Sequence, residues 1–145
     1  MLTDLIIARP DEADTVLHAT GHATIWSTME MRGVDAVKLC ALREVLKGAP
    51  ERAAQASDEM DKFQVLATEG DDGPWIHSVP ADLVDVLAAL PDTQFERVAK
   101  AWAEAPECKL DRWQAEDLID VLRGLNQFAE NAQAQGKGWL LWVCE

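Results

Sequence analysis

The chain has 145 residues, of which 48% are hydrophobic and 27% are charged, a composition typical of an ordered globular protein and not of a disordered one. Its 26 acidic and 13 basic residues give a formal net charge of -13 at pH 7, which disfavours binding to nucleic acid or to an anionic membrane surface. No apolar run approaches the roughly 18 residues that a transmembrane helix needs.

This length fits one domain, predicted over residues 1–145, which can bury a core without metal or disulfide bridges. The three cysteines, Cys40, Cys108 and Cys144, are odd in number and lack C-x-x-C spacing, so neither a disulfide framework nor a zinc ribbon is expected. The opening stretch MLTDLIIARP carries an acid where a signal peptide carries basic residues. The sequence therefore predicts a reduced, cytoplasmic protein.

The first elements in chain order are a strand and two helices. DLIIAR (4–9) predicts a short buried strand, and the acid-rich turn after it begins a brief helix that ends before Gly21. HATIWSTMEMRG (22–33) has no clear period and is predicted to be irregular. Apolar residues recur at helical spacing in VDAVKLCALREVLKG (34–48), which predicts an amphipathic helix. The polar stretch over 49–62 is compatible with either a frayed helix or a mobile loop.

The middle of the chain predicts an antiparallel hairpin. FQVLATE (63–69) alternates, which places Phe63, Val65 and Ala67 on one face, and PWIHSV (74–79) alternates again. The GDDG between them contains the glycines and aspartates that form turns. We therefore interpret GDDG as a hairpin loop.

Three helices and a last strand are predicted after the hairpin. ADLVDVLAAL predicts a helix that begins after a proline, and DTQFERVAKAWAE predicts a second, capped by Asp92. The third predicted helix has the longest apolar stripe and ends at Gly136. Asp111, with Gln114 three residues later, resembles a capping box at its start. GWLLWVC (138–144) is apolar on both faces, which favours an interior strand; alternatively, one face contacts a partner.

These elements predict one α+β domain in which about four strands, antiparallel or mixed, pack with four to five helices. From Val79 onward, VPADLVDVLAAL, a tryptophan-bearing helix and a long helix running into AQAQGKGWLLWVCE resemble the C-terminal arrangement of YfbM-like proteins, a group of small uncharacterised bacterial α+β proteins. The resemblance implies the same fold class and a bacterial source. It carries no activity and no catalytic residue.

Few residues suggest catalysis. His18 and His22 have the spacing of two metal ligands on one helical turn, and a third ligand could come from His77, Cys108 or a carboxylate. However, Gly21 interrupts the turn and no H-E-x-x-H glutamate is present. We therefore predict no metal or other cofactor. The candidate ligands for the alternative, a bound metal, are His18, His22 and His77. Cys108, predicted in a loop beside a lysine that would lower its pKa, is either a reactive thiol or an idle exposed one.

Two hypotheses for function follow. The first is a non-catalytic bacterial binding module, similar to immunity proteins, that neutralises a basic protein partner. Its predicted contact residues are acids near the hairpin and two tryptophans expected to be partly exposed: Asp61, Glu69, Asp71, Asp72, Trp75 and Trp113. The alternative is a small metal-dependent or thiol hydrolase that uses the histidines or Cys108.

Overall fold

Five antiparallel strands form one open sheet in the computed structural model, which describes residues 1–53 and 62–145. The strands are β1 (Leu2–Ala8), β2 (Thr28–Glu30), β3 (Val65–Thr68), β4 (Trp75–Ser78) and β5 (Gly138–Cys144), in the spatial order β2-β1-β5-β4-β3. The described helices are α1 (Ala13–His18), α2 (Ala36–Leu46), α3 (Ala81–Ala89), α4 (Phe95–Ala103), α5 (Pro106–Leu110) and α6 (Ala115–Ala134). The predicted α+β fold is confirmed, with one strand and one helix more than expected.

The central strand of the sheet is β5. It pairs along all seven residues of β1 on one side and all four residues of β4 on the other. Trp139, Leu140 and Leu141 are buried although successive residues point to opposite faces of the sheet. The prediction that residues 138–144 form an interior strand is therefore confirmed.

One face of the sheet packs against the larger helical layer. In that layer α6 contacts α3, α4 and β5, and α2 packs beside α4. Trp102 of α4 is fully buried, and its Nε1 donates to the carbonyl oxygen of Lys38 at 2.9 Å. The predicted apolar stripe of α4 is buried, and that of α6 is buried except at Ala115 and Ile119, which are half-buried. No described helix combines the length and hydropathy that crossing a bilayer requires.

The other face of the sheet, here called the α1 face, has a smaller cover. A second apolar cluster forms there between the sheet and α1, and it contains Ile6, Ala8, Val16, Leu17, Ile76 and Leu140. Two-sided burial of the sheet explains why the first strand is apolar at consecutive positions. This cover leaves Leu2 exposed and Trp142 half-buried at one end of the sheet.

Strand β2 lies within residues 22–33, which the sequence predicted to be irregular. Its three residues pair with β1, with Met29 opposite Leu5. Met29 packs against the core, whereas Thr28 and Glu30 are polar, so the alternation is too short to be recognised from sequence. Most of the polar stretch over 49–62, namely residues 54–61, lies outside the described residues.

Two predicted helix caps are wrong. Asp92 begins a 3-10 turn that precedes α4, and its side chain does not cap the helix. The capping box of α6 is formed by Gln114 and Asp117, and the Gln114 N–H donates to Asp117 Oδ2 at 3.4 Å. Asp111 instead accepts a hydrogen bond from the buried ammonium of Lys38, an interaction that spacing along the sequence does not reveal.

Candidate functional site

The β3–β4 hairpin brings together four of the predicted contact residues at one edge of the sheet. A hydrogen bond from the Glu69 N–H to the carbonyl oxygen of Pro74, at 3.2 Å, closes its loop. Glu69, Asp71 and Asp72 are exposed, and Trp75 begins β4 directly after the loop. Within the described part of the chain, no hydrogen bond or ion pair involves the Asp71 or Asp72 carboxylate. These two carboxylates can therefore meet a partner without breaking an internal contact.

Strand β3 adds two apolar side chains to this edge, since Val65 is 53% exposed and Leu66 is 38% exposed. The prediction that Phe63, Val65 and Ala67 share one face is wrong, because Phe63 belongs to the larger core cluster and Ala67 to the cluster on the α1 face. A β-bulge between Val65 and Ala67 interrupts the alternation, because these positions, two residues apart on β3, face neighbouring positions of β4. We call Val65, Leu66, Glu69, Asp71, Asp72 and Trp75 the hairpin surface.

The indole of Trp75 lies against the loop backbone at Gly73. Gly73 has a φ of +83°, and a Cβ built on it would lie 2.6 Å from both Cε3 and Cζ3 of Trp75. Only a residue without a side chain leaves room for the ring at this position. Trp75 is half-buried, which confirms the prediction that it is partly exposed.

The other two predicted contact residues do not join the hairpin surface. Trp113 is half-buried, as predicted, but its ring lies beside Gly33, which follows β2 at the opposite edge of the sheet. There it lines a cavity of about 830 Å³ together with Glu104 and Lys109. Asp61 lies outside the described residues, so its predicted role stays a prediction.

The three histidines have separate partners. His18 Nδ1 lies 2.9 Å from its helix's Asp14 carbonyl oxygen, and His77 Nδ1 lies 2.9 Å from the Phe63 carbonyl oxygen. His22 Nε2 lies 2.7 Å from Asp4 Oδ2. In residues 1–53 and 62–145, no three His, Cys, Asp or Glu side chains are grouped closely enough to hold a metal ion. The described histidines therefore do not converge on one site.

Cys108 is not the exposed loop thiol that the sequence predicted. It lies in α5 and is fully buried, and burial raises the pKa of its thiol to about 11. The Lys109 ammonium, expected to lower that pKa, pairs with Glu104 Oε2 at 2.8 Å. A nucleophilic cysteine requires an accessible thiolate, so the interpretation of Cys108 as a reactive thiol is wrong.

A cavity of about 680 Å³ lies at the end of the α1 face that α1 leaves uncovered. Three of its lining residues form one row across adjacent strands, since Glu30 is directly opposite Asp4 and Asp4 is directly opposite Trp142. The imidazole of His22, paired with Asp4, packs on the Trp142 indole with the ring centroids 4.7 Å apart. We call this the Asp4 cavity, and we define it by Leu2, Asp4, Ala23, Glu30, Met31 and Trp142.

Sequence reasoning missed the Asp4 cavity. Asp4 and His22 are separated by a helix and a turn, and only the strand register brings Asp4 beside Glu30 and Trp142. The one signal in the sequence was an acid at the start of the otherwise apolar DLIIAR. Strand β1 lies between β2 and β5. A charged side chain such as Asp4 in an interior strand requires a polar environment.

A buried lysine lies in α2. The Lys38 side chain is 3% exposed, its Nζ donates to Asp111 Oδ2 at 2.5 Å, and Asp35 Oδ2 lies 4.0 Å away. A buried ammonium needs such carboxylate partners, and the pair connects α2 with the end of α5. We interpret Lys38 as structural.

Comparison with known proteins finds no matching family model, no matching curated protein and no matching solved structure. The resemblance to YfbM-like proteins from Val79 onward therefore stays a prediction.

Proposed function

We propose that this protein is a non-catalytic binding module that recognises a basic protein partner through the hairpin surface, as immunity proteins recognise the toxins that they neutralise. One observation carries the proposal: the hairpin surface combines three exposed carboxylates with two exposed aliphatic side chains. Apolar contacts surrounded by charge are typical of protein interfaces.

Electrostatics support a basic partner. The net charge of -13 attracts cationic proteins over several ångströms, and complementary charge accelerates association more than it strengthens the final complex. Asp71 and Asp72 are adjacent in the loop, and neither is neutralised by a lysine or arginine of the described chain. The loop therefore presents a local concentration of negative charge.

Apolar contacts at the same edge would supply affinity. Val65 and Leu66 lie on β3, whose position at the end of the strand order leaves it paired with β4 alone among the described strands. Trp75 is half-buried, and tryptophan is enriched among the residues that dominate binding energy. A partner that covers the two aliphatic side chains would remove them from water.

The test is affinity capture from a lysate of the source cell with three baits: the wild-type protein, the double variant Asp71→Asn/Asp72→Asn, and a control variant. The control, Asp120→Asn/Glu130→Gln, makes the same change in charge at exposed positions of α6. We expect wild type and control to enrich the same basic protein. With that protein purified, the hairpin variant should associate about tenfold more slowly at low salt.

The hairpin variant should fold normally, with a free energy of unfolding within about 0.5 kcal/mol of wild type, because exposed loop acids contribute little to stability. Slower binding can then be assigned to the lost charge. Capture of no basic protein by the wild type would refute the proposed function. Equal association rates for the hairpin and control variants would show that binding does not use the hairpin surface.

The alternative hydrolase proposal now depends on His22, since Cys108 is buried. The Asp4 carboxylate orients the His22 imidazole, and a carboxylate-oriented imidazole can act as a general base. Metal analysis of the purified protein tests the metal-dependent form. One equivalent of a transition metal in the wild type, lost in His22→Ala and kept in His18→Ala, would favour a hydrolase over the binding module.

A further inference from the structure

We propose that the Asp4 cavity binds a small organic ammonium ion, that is, a positively charged amine attached to an apolar body. The cavity has a volume of about 680 Å³, and an indole ring, apolar side chains, two carboxylates and the guanidinium of Arg32 line it. Aromatic faces and acidic groups are what proteins use to recognise such cations. The cavity lies on β2, β1 and β5, away from the hairpin surface, so this proposal is independent of the proposed function.

The strand register places two like charges next to each other in the cavity. Asp4 and Glu30 are directly opposite on neighbouring strands, an arrangement that destabilises a sheet when both are charged. Arg32, which also lines the cavity, pairs with Glu30, with Nε 3.3 Å from Glu30 Oε1, but its side chain is 86% exposed and water screens the pair. In the described part of the chain no lysine or arginine pairs with Asp4. A cation bound between the two carboxylates would relieve their repulsion.

Asp4 is prepared to accept a ligand. Its side chain is only 16% exposed, and burial of a carboxylate is unfavourable unless hydrogen bonds or opposite charge compensate it. His22 Nε2 engages Oδ2 at 2.7 Å and so orients the carboxylate. Oδ1 has no hydrogen bond to any described residue. The second oxygen is therefore available to accept a hydrogen bond from an ammonium group.

The remaining walls select an organic cation over a bare metal ion. Trp142 is directly opposite Asp4, and tryptophan offers the best aromatic face for a cation. Leu2, 61% exposed, lines the same cavity with Ala23 and Met31. A metal ion gains nothing from apolar walls, whereas the alkyl part of an amine would remove them from water.

The test uses three probes with the same alkyl chain and different charge: n-hexylammonium, n-hexanol and n-hexanoate. Isothermal titration calorimetry measures their affinities, and quenching of tryptophan fluorescence provides a second signal. We expect hexylammonium to bind at least about tenfold more tightly than hexanol, because it adds a charge-assisted hydrogen bond and a cation–π contact, and hexanoate to bind least. Equal affinities for all three, or no binding of hexylammonium, would overturn the proposal.

Two variants assign the selectivity to the cavity. Asp4→Asn removes the charge with little change in shape, and it should weaken hexylammonium binding about tenfold while hexanol binding is retained. Glu30→Gln, at an exposed position, should weaken it less and provides a second variant if Asp4→Asn does not fold by circular dichroism. Asp71→Asn, the same change in charge on the hairpin surface, should have no effect. Hexylammonium affinity unchanged in both cavity variants would refute the assignment.

The ammonium group could belong to a free amine or to a lysine side chain of a partner protein. N-acetyl-lysine methylamide, titrated beside hexylammonium, distinguishes the two sources. Tighter binding of the lysine derivative indicates a partner's side chain, and tighter binding of hexylammonium indicates a free amine. Either result supports an ammonium site, whereas binding of neither compound overturns it.

Discussion

Alanine at Gly73 tests whether the Trp75 indole packs against the hairpin loop. Gly73 has a φ of +83°, and an added Cβ would lie 2.6 Å from two ring carbons of Trp75. Gly70 provides a matched control in the same loop, because its φ is also positive, at +107°, but a Cβ there would meet nothing within 4 Å. The difference between the two alanine variants therefore measures the contact with the indole.

The magnitudes follow from two terms. A Cβ at positive φ costs roughly 1–2 kcal/mol at either glycine. At Gly73 the new atom also lies well inside the separation of about 3.5–4 Å that two carbon atoms prefer, so the ring has to move. Such overpacking costs about 1–3 kcal/mol. We expect Gly70→Ala to lower the free energy of unfolding by about 1–2 kcal/mol and Gly73→Ala to lower it by about 2–5 kcal/mol.

Urea denaturation of four variants completes the test: Gly70→Ala, Gly73→Ala, Trp75→Ala and the double variant of Gly73 and Trp75. Trp75→Ala should cost about 1–2.5 kcal/mol, less than a fully buried tryptophan, because the ring is half-buried. Without the indole, Gly73→Ala should cost no more than Gly70→Ala. Equal costs at the two glycines in the presence of Trp75 would show that the ring does not pack on the loop.

Asp82→Asn should lower the free energy of unfolding by about 0.5–1 kcal/mol near neutral pH, since it removes a two-pronged pair with Arg43 in which Asp82 is half-exposed. The Arg43 hydrogen bond lowers the pKa of Asp82. The stabilisation is therefore complete above the unfolded-state pKa of 3.8, and it is lost as the pH falls through the lower pKa of the native state. The free energies of unfolding of wild type and Asp82→Asn, measured in urea, should converge in acid. Cys108 should resist maleimide in the folded protein, as measured by mass spectrometry, and rapid labelling would contradict its burial. Because its native pKa is raised from 9.0 to about 11, the unfolded thiol ionises first and stability should fall as the pH rises through this interval.

Elements with a strong local signal could be predicted from the sequence. The two-sided apolar run at residues 138–144 predicted the central strand, and GDDG predicted the hairpin loop from turn chemistry alone. Strand β2 was missed because three residues are too few to establish a period. The separation of Val65 and Ala67 onto different faces was missed because a bulge adds a residue to one strand without a recognisable sequence signal.

The candidate sites also differ in whether local sequence or the register of the whole sheet determines them. Asp71 and Asp72 lie next to each other in the chain, so their common surface follows from local structure. The Asp4 cavity depends on the pairing of β1 with two distant strands, and that register is a property of the whole sheet. Lysine side chains are usually exposed to solvent, but Lys38 lies within the apolar stripe of α2 and is buried. Its burial depends on a carboxylate from a distant segment, Asp111.

The central position of β5 has a consequence for how the chain folds. The strands on either side of it, β1 and β4, do not pair with each other, so the sheet consists of two separate parts until residues 138–144 are inserted. Nearly the whole sequence separates β1 from β5, and closing so long a loop is entropically slow. During synthesis both parts can form early while each keeps one unpaired inner edge. The equivalent strand of a second chain could fill that gap, so we expect crowded nascent chains to exchange β5.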